Sequence, residues 1–210
     1  MSKASLMFLL ASVTALLLAQ PVGAAALTSV LEDPEGDMAL PEELSPVARQ
    51  AYQDIVRAEI SKKDGTFVFT MEVAGRIPET PELAPPGVAL LEWRWALNVN
   101  PDTFPAGFPF APGAHAPAEY QVQILWDGTN FIGQLIDRTP LLTGGQAIVT
   151  PLSFRIKGAE FKTSVNAAMV GDPSSFLWLV FTVDWPTPLG TNSFLTVDFA
   201  PNGGPITWPS

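Results

Sequence analysis

Apolar and polar residues alternate along most of the chain after residue 54, with the period of two that is typical of half-buried β-strands. The pattern runs through TFVFTMEV (66–73), LLEWRWALNVN (90–100), EYQVQILWD (119–127) and PLSFRIKG (151–158). The stretch FLWLVFTVDW (176–185) is apolar at both phases, which predicts a central strand covered on both faces. Helical periodicity is absent from this region, so the pattern predicts an all-β domain.

Turn signals separate these stretches. Lys63-Asp64-Gly65 lies between residues 54–62 and 66–73, Asp127-Gly128 follows Trp126, and Lys157-Gly158 follows Ile156. Short connections that contain Asp-Gly or Gly favour β-hairpins. Many strands joined by short turns predict an antiparallel β-sandwich or barrel.

The first 26 residues have the composition of a secretion signal. Lys3 precedes an uncharged apolar run over residues 6–19, and Gln20-Pro21 and small residues follow it. The alternative is an uncleaved anchor helix, although the run is shorter than the about 20 residues that a membrane span needs. We therefore expect a signal peptide (1–26), an acidic, proline-rich lead-in segment (27–53) and a β-sandwich domain (54–210), with no transmembrane segment in the mature chain. Such a protein would be extracellular or at the cell surface, or periplasmic in a bacterium with two membranes.

Composition excludes several function classes. The chain has no cysteine, which excludes thiol catalysis, zinc–thiolate sites and c-type haem attachment. Its formal net charge is −10, whereas nucleic-acid binding and docking to anionic lipid both require a basic face. We therefore expect no nucleic-acid partner.

The stretch EDPEGD (32–37) holds four carboxylates within six residues. Hard cations such as calcium bind six to eight oxygens from carboxylates and carbonyls. Asp33 and Asp37 flank a glycine that permits a tight bend, and Asp54 joins them if the segment folds back onto the first predicted strand. These three residues are the candidate metal ligands, and a solvated acidic linker is the alternative.

Aromatic residues outside the strands are the candidate ligand contacts. The connection over residues 100–119 is long and proline-rich, and it contains Phe104, Phe108, Phe110 and the only histidine, His115. Long connections in compact domains are usually functional or mobile, and the alternative for the three phenylalanines is a loop folded onto the end of the sandwich as a plug. Trp185 precedes a proline at the end of its strand, and Trp208 is near the end of the chain, so both are expected to be more exposed than the core. The four tryptophans at apolar strand phases are expected in the core: Trp93, Trp95, Trp126 and Trp178.

Signals for catalysis and for haem are weak. There is no GxSxG motif, and a single histidine has no histidine partner for zinc. His115 with Met71 or Met169 is a conceivable haem pair, but a haem site is not expected. We expect a protein that is not an enzyme; a carboxylate-based extracellular hydrolase is the less favoured alternative.

Four segments resemble a known superfamily: DPEGD, DIVRAEISKKDGTFVFTMEVAG, WRWALNVN and VDFAPNGG. Together they resemble the secreted DOMON and family-nine carbohydrate-binding-module domains of bacterial and archaeal surface proteins. The resemblance implies an antiparallel, immunoglobulin- or jelly-roll-like β-sandwich of about nine to eleven strands, and non-catalytic binding of sugar or haem. It matches Asp33, Asp37 and Asp54 to acidic positions at a calcium-stabilised edge. It also matches Asp198 and Asn202 to a closing motif near that edge.

These observations predict a secreted, non-catalytic binding module whose ligand is a glycan or a cell-surface component. Phe104, Phe108, Phe110 and Trp185 are its candidate contacts, and calcium is the candidate ion. A structural surface protein without a small ligand remains the main alternative.

Overall fold

A computed structural model describes residues 26–38, 50–83, 88–100, 118–186, 195–202 and 204–210. These residues form two antiparallel β-sheets and no α-helix, so the predicted all-β sandwich is confirmed. In chain order the strands are β1 (Leu27–Glu32), β2 (Ile55–Lys63), β3 (Thr66–Val73), β4 (Val88–Asn98), β5 (Tyr120–Trp126), β6 (Phe131–Asp137), β7 (Ile148–Pro151), β8 (Phe154–Lys157), β9 (Glu160–Asn166), β10 (Phe176–Pro186), β11 (Leu195–Ala200) and β12 (Ile206–Trp208).

The strands divide into a five-stranded sheet of order β1-β2-β3-β9-β8 and a seven-stranded sheet of order β11-β10-β4-β5-β6-β7, in which β12 also pairs with β10. The described strands number twelve, one more than the predicted upper bound. Short 3₁₀ helices occur at Ala51–Gln53, Thr139–Thr143 and Ala167–Val170. Within the described part of the chain, no helix is long and apolar enough to cross a membrane.

Two of the predicted turns illustrate why the chain reverses where it does. Asp64 and Gly65 connect β2 to β3, and both have positive φ angles, 50° and 71°. A two-residue hairpin turn with two positive φ angles matches the right-handed twist of the strands it joins. Gly158, with φ of 65°, serves the β8–β9 hairpin in a similar way.

The main core lies between the two sheets and is rich in aromatic side chains. All four tryptophans expected in the core are buried. Trp93 packs against Phe161 of the opposite sheet, with ring centroids 4.6 Å apart, and Trp95 packs edge-on against Phe69 at 5.9 Å. Because facing rings from the two sheets interdigitate, this layer fixes how the sheets lie against each other.

Strand β10 is buried on both faces, as its doubly apolar sequence predicted. Trp178 and Val180 point into the main core, whereas Leu179, Phe181 and Val183 belong to a second cluster on the other face of the seven-stranded sheet. A strand covered on both faces needs apolar residues at both phases.

Two features differ from the sequence interpretation. Leu27–Glu32 is an integral strand of the five-stranded sheet and pairs with β2 along its whole length, so the sandwich includes residues assigned to the lead-in segment. Trp208 is fully buried rather than more exposed, because β12 pairs with the start of β10 and the indole N–H donates to the carbonyl of Ile60.

Candidate functional site

Three aspartates meet at the edge where the two sheets approach each other. Asp33 follows β1, Asp37 lies beyond the next turn, and Asp198 is on β11. One carboxylate oxygen from each lies within 4.8 Å of the others. Two of the predicted metal ligands, Asp33 and Asp37, therefore lie together, and Asp198 comes from the far end of the chain.

Asp54, the third predicted ligand, lies beside this group, immediately before β2. Its Oδ2 accepts a hydrogen bond from the backbone N–H of Gly36 at 2.8 Å, which holds the acidic turn against the start of β2. The backbone N–H of Asp33 donates to the carbonyl of Val56 at 3.1 Å. The acidic segment 32–37 thus folds back onto β2, the first strand of the predicted domain. This is the condition under which Asp54 was expected to join Asp33 and Asp37.

Asp198 is buried and bridges the two sheets. Its Oδ2 accepts the backbone N–H of Ile55 on β2 at 2.6 Å, and its Oδ1 accepts that of Phe199 at 2.7 Å. Asn202, a few residues later, donates from Nδ2 to Oδ2 of Asp37 at 2.6 Å. The resemblance assigned Asp198 and Asn202 to a closing motif near the acidic edge. Asp198 contacts β2, and Asn202 contacts the acidic turn.

Three of the four carboxylates, those of Asp33, Asp37 and Asp54, have unsatisfied bonding capacity. Asp33 Oδ2, Asp37 Oδ1 and Asp54 Oδ1 are each buried and have no hydrogen-bond partner among the described residues. No described ion pair includes any of the four aspartates. Buried carboxylate oxygens without partners are costly, so this arrangement requires protons, bound water or a cation.

The electrostatics lead to the same requirement. Burial, followed by the neighbouring charges of Asp37, Asp198 and Asp54, raises the pKa of Asp33 to about 7. Burial raises the pKa of Asp198 to about 6 and also raises the pKa of Asp54. Each of these groups therefore resists ionisation unless positive charge arrives.

The geometry fits a calcium ion. Calcium–oxygen distances are about 2.3–2.6 Å, so two ligands on opposite sides of the ion lie at most about 5 Å apart. The three grouped oxygens satisfy that limit. Carboxylates without nitrogen or sulfur donors favour a hard cation over zinc or copper.

A separate buried carboxylate lies further along the same interface. Asp184 on β10 accepts a hydrogen bond from Gln53 Nε2 at 2.6 Å, and its Oδ2 has no partner among the described residues. The carbonyl of Gln53 accepts the hydroxyl of Thr182 at 2.7 Å. Burial raises the pKa of Asp184 to about 6. Sequence reasoning missed this residue because an aspartate within an apolar strand carries no spacing signal.

The other face of the seven-stranded sheet carries a row of buried polar side chains. On β4, Arg94 pairs with Glu92 and lies 5.3 Å from the ring of Phe181. Gln123 on β5 donates to Glu92 Oε1 at 3.4 Å. Arg94 Nε, Gln123 Oε1 and Asn98 Oδ1 are buried without a hydrogen-bond partner in the described part of the chain.

The predicted ligand contacts are only partly described. Phe104, Phe108 and Phe110 lie outside the described residues, as does His115. Trp185 is half-buried and packs, together with Phe199, against the second apolar cluster. Of the two methionines considered for haem, Met71 is buried in the main core and Met169 is exposed.

The chain was also compared with known proteins. No protein-family model matches it, and no curated protein is significantly similar to it.

Proposed function

We propose that this protein is a non-catalytic β-sandwich binding module in which a calcium ion joins the acidic turn to β2 and β11. The supporting observation is the group formed by Asp33, Asp37 and Asp198, with the unpartnered carboxylate oxygens of Asp33 and Asp37. Asp54 lies beside the group and holds the acidic turn through its hydrogen bond from the backbone N–H of Gly36. The ion converts the mutual repulsion of four aspartates into attraction, and it links the two sheets in a chain that has no disulfide.

A structural role for the ion fits the hydrogen bonding better than a catalytic one. Asp198 already accepts two backbone N–H groups, and Asp54 accepts one. Carboxylates that hold backbone in this way position strands, whereas a general acid or base must reach a substrate proton. The hydrolase alternative predicts turnover that is lost on substitution of one of these carboxylates.

We propose a glycan of the cell surface as the ligand. This part of the proposal rests on the resemblance and on the chemistry of the seven-stranded sheet's outward face. That face combines the half-buried Trp185 with polar side chains that are buried in this structure, among them Glu92, Arg94 and Gln123. Planar polar side chains next to an aromatic ring are the groups that bind sugar hydroxyls and sugar faces. Export through the predicted signal at residues 1–26 would bring the module to such ligands.

Calcium binding is tested by thermal unfolding in excess calcium and in chelator. A ligand that binds only the folded state at a hundredfold excess over its Kd stabilises by about 2.7 kcal/mol. We expect Asp37→Asn and Asp198→Asn to remove most of the difference between the two conditions. The matched control is Glu35→Gln, which removes one charge from the same turn but no ligand of the group. Equal melting temperatures in calcium and chelator for the unsubstituted protein would refute the ion.

Glycan binding is tested separately, with an array of bacterial and plant polysaccharides and the calcium-loaded protein. We expect binding that Trp185→Ala weakens and that Met169→Ala, an exposed apolar residue on a 3₁₀ helix, leaves unchanged. Absence of binding to every glycan, with calcium stabilisation intact, would favour the structural surface protein without a small ligand.

A further inference from the structure

Strand β7 is an edge strand with exposed apolar side chains. It is the last strand of the seven-stranded sheet in the described part of the chain and pairs only with β6 there. Ile148 and Val149 are 55% and 54% exposed, the highest values among the exposed large apolar residues. Leu142 and Ile132, which are also exposed, lie in the preceding 3₁₀ helix and on β6. Four of the seven exposed large apolar residues described therefore lie in the segment from β6 to β7.

The backbone of β7 presents its hydrogen-bonding groups to solvent at one central position. Leu152 donates its N–H to the carbonyl of Gly133 at 2.9 Å, so position 152 bonds toward β6. In an antiparallel pair this direction alternates, so Thr150 also bonds toward β6, whereas the N–H and C=O of Val149 point away from it. Pro151 also faces outward but has no N–H. Val149 is therefore the central residue of β7 whose N–H and C=O are both free to pair with another strand.

This edge also lacks charge, unlike the edges of the five-stranded sheet. No charged residue occurs between Arg138 and Arg155. By contrast, β1 carries Glu32, and β8 carries Arg155 and Lys157. Charged side chains are the usual protection of an edge strand against pairing. On a chain of net charge −10, an uncharged edge is where two identical molecules meet with the least electrostatic repulsion.

We propose that β7 pairs with β7 of a second copy of this chain, antiparallel and about a two-fold axis at Val149. The N–H of each Val149 donates to the C=O of Val149 in the other copy, which joins the two seven-stranded sheets into one. An identical partner fits because the outward groups are self-complementary about this residue, as an isologous interface requires. The exposed Ile148 and Val149 side chains lose contact with water in the pair, and this burial supplies the hydrophobic part of the association.

The oligomeric state is tested by sedimentation equilibrium of the purified protein over a wide range of micromolar concentrations. We expect a reversible dimer. Val149→Pro removes the outward N–H without removing a bond to β6, and Val149→Lys places two ammonium groups opposite each other. Each substitution should weaken the dimer by about tenfold or more, equivalent to about 1.4 kcal/mol. Val30→Lys, at a similarly apolar exposed position on edge strand β1, should leave the dimer unchanged.

Register is tested by a single thiol, since the chain has no cysteine of its own. Directly opposed, hydrogen-bonded residues of antiparallel strands have Cα atoms about 5.5 Å apart, within the range of a disulfide. V149C should therefore form a covalent dimer under mild oxidation much faster than V30C. Circular dichroism and melting temperature identify any variant that fails to fold. Any one of three results would overturn the proposal. The protein could be monomeric at every concentration, the dimer could survive both Val149→Lys and Val149→Pro, or V149C and V30C could cross-link equally.

Discussion

At the scale of single residues, the aspartates whose pKa is raised by burial have two kinds of environment. Asp33 and Asp198 are close to other aspartates, and a cation would satisfy them together. Asp184 instead has a neutral partner, Gln53, and the pKa of its carboxyl is raised by burial rather than by neighbouring charge. Asp184 is therefore the residue at which the cost of burying a negative charge can be measured without a metal.

Asp184→Asn should remove part of the pH dependence of stability. The folded-state pKa of about 6 lies above the ordinary value of 3.8, so the folded protein holds the proton more tightly than the unfolded chain. The unfolding free energy contributed by this group is therefore fully present below about pH 4 and is lost as the pH rises through 6, by at most about 3 kcal/mol. Denaturant unfolding at pH 4.5 and 7.5 should show a smaller loss for the variant than for the unsubstituted protein.

Asp127→Asn is the control, because the pKa of this carboxyl is shifted in the opposite direction. The backbone N–H groups of Asn130 and Thr129 donate to the Asp127 carboxylate in the β5–β6 turn and lower its pKa. Its stabilisation is present above the ordinary value of 3.8 and is lost only as the pH falls below it, so the cost of the substitution should be nearly equal at pH 7.5 and at pH 4.5. An identical pH profile for Asp184→Asn and the unsubstituted protein would contradict the assignment.

At the scale of elements, periodicity predicted the long strands and the short β8, but it missed β1 and β12. Strands β3, β4, β5 and β10 show alternating or doubly apolar patterns over at least seven residues. The sequence of β1, LTSVLE, follows the predicted signal peptide and precedes an acidic turn, so the alternation of its apolar and polar residues was not recognised. β12 has three residues, which is too few for any period to appear.

The candidate site was also only partly predictable from the sequence. Asp33 and Asp37 are close in sequence, so carboxylate density was sufficient to identify them. Asp198 lies more than 160 residues later and reaches the group only because β11 pairs with β10 at the sheet edge. Whether two residues so far apart in sequence meet depends on the order of the strands, which residue patterns alone do not specify. Only the resemblance had associated Asp198 with this region.

Trp208→Ala should destabilise the fold strongly, although the residue is near the end of the chain. The indole is fully buried, stacks on Phe176 at 5.1 Å and contacts Phe67 edge-on at 5.0 Å. Removing a buried tryptophan typically costs about 3–5 kcal/mol, because the transfer free energy is lost and a cavity remains. Urea denaturation of the variant measures this cost. Trp185→Ala, which truncates a half-buried ring, should cost less, and the reverse order would contradict the packing described for β12.

At the scale of the whole molecule, the aspartate group joins parts of the chain that are distant in sequence. Asp33 and Asp54 flank strands of the five-stranded sheet, whereas Asp198 belongs to the seven-stranded sheet. Anything that neutralises the group therefore also holds the two sheets together at this edge. Protons and a divalent cation compete for the same oxygens, because a carboxylate must lose its proton before it can bind the ion.

This competition predicts that calcium reverses the pH dependence of stability. Without metal, the raised pKa values of Asp33 (about 7), Asp198 (about 6) and Asp54 mean that the folded state binds more protons than the unfolded chain. Unfolding free energy should then fall as the pH rises from about 4 to 7. Calcium binds the deprotonated group, so the stabilisation it gives should increase over the same interval.

Melting curves with calcium and with chelator should nearly coincide at pH 4.5 and separate at pH 7.5, and Asp198→Asn should reduce the separation. A calcium effect that is equal at both pH values would show that the ion acts elsewhere than on these carboxylates.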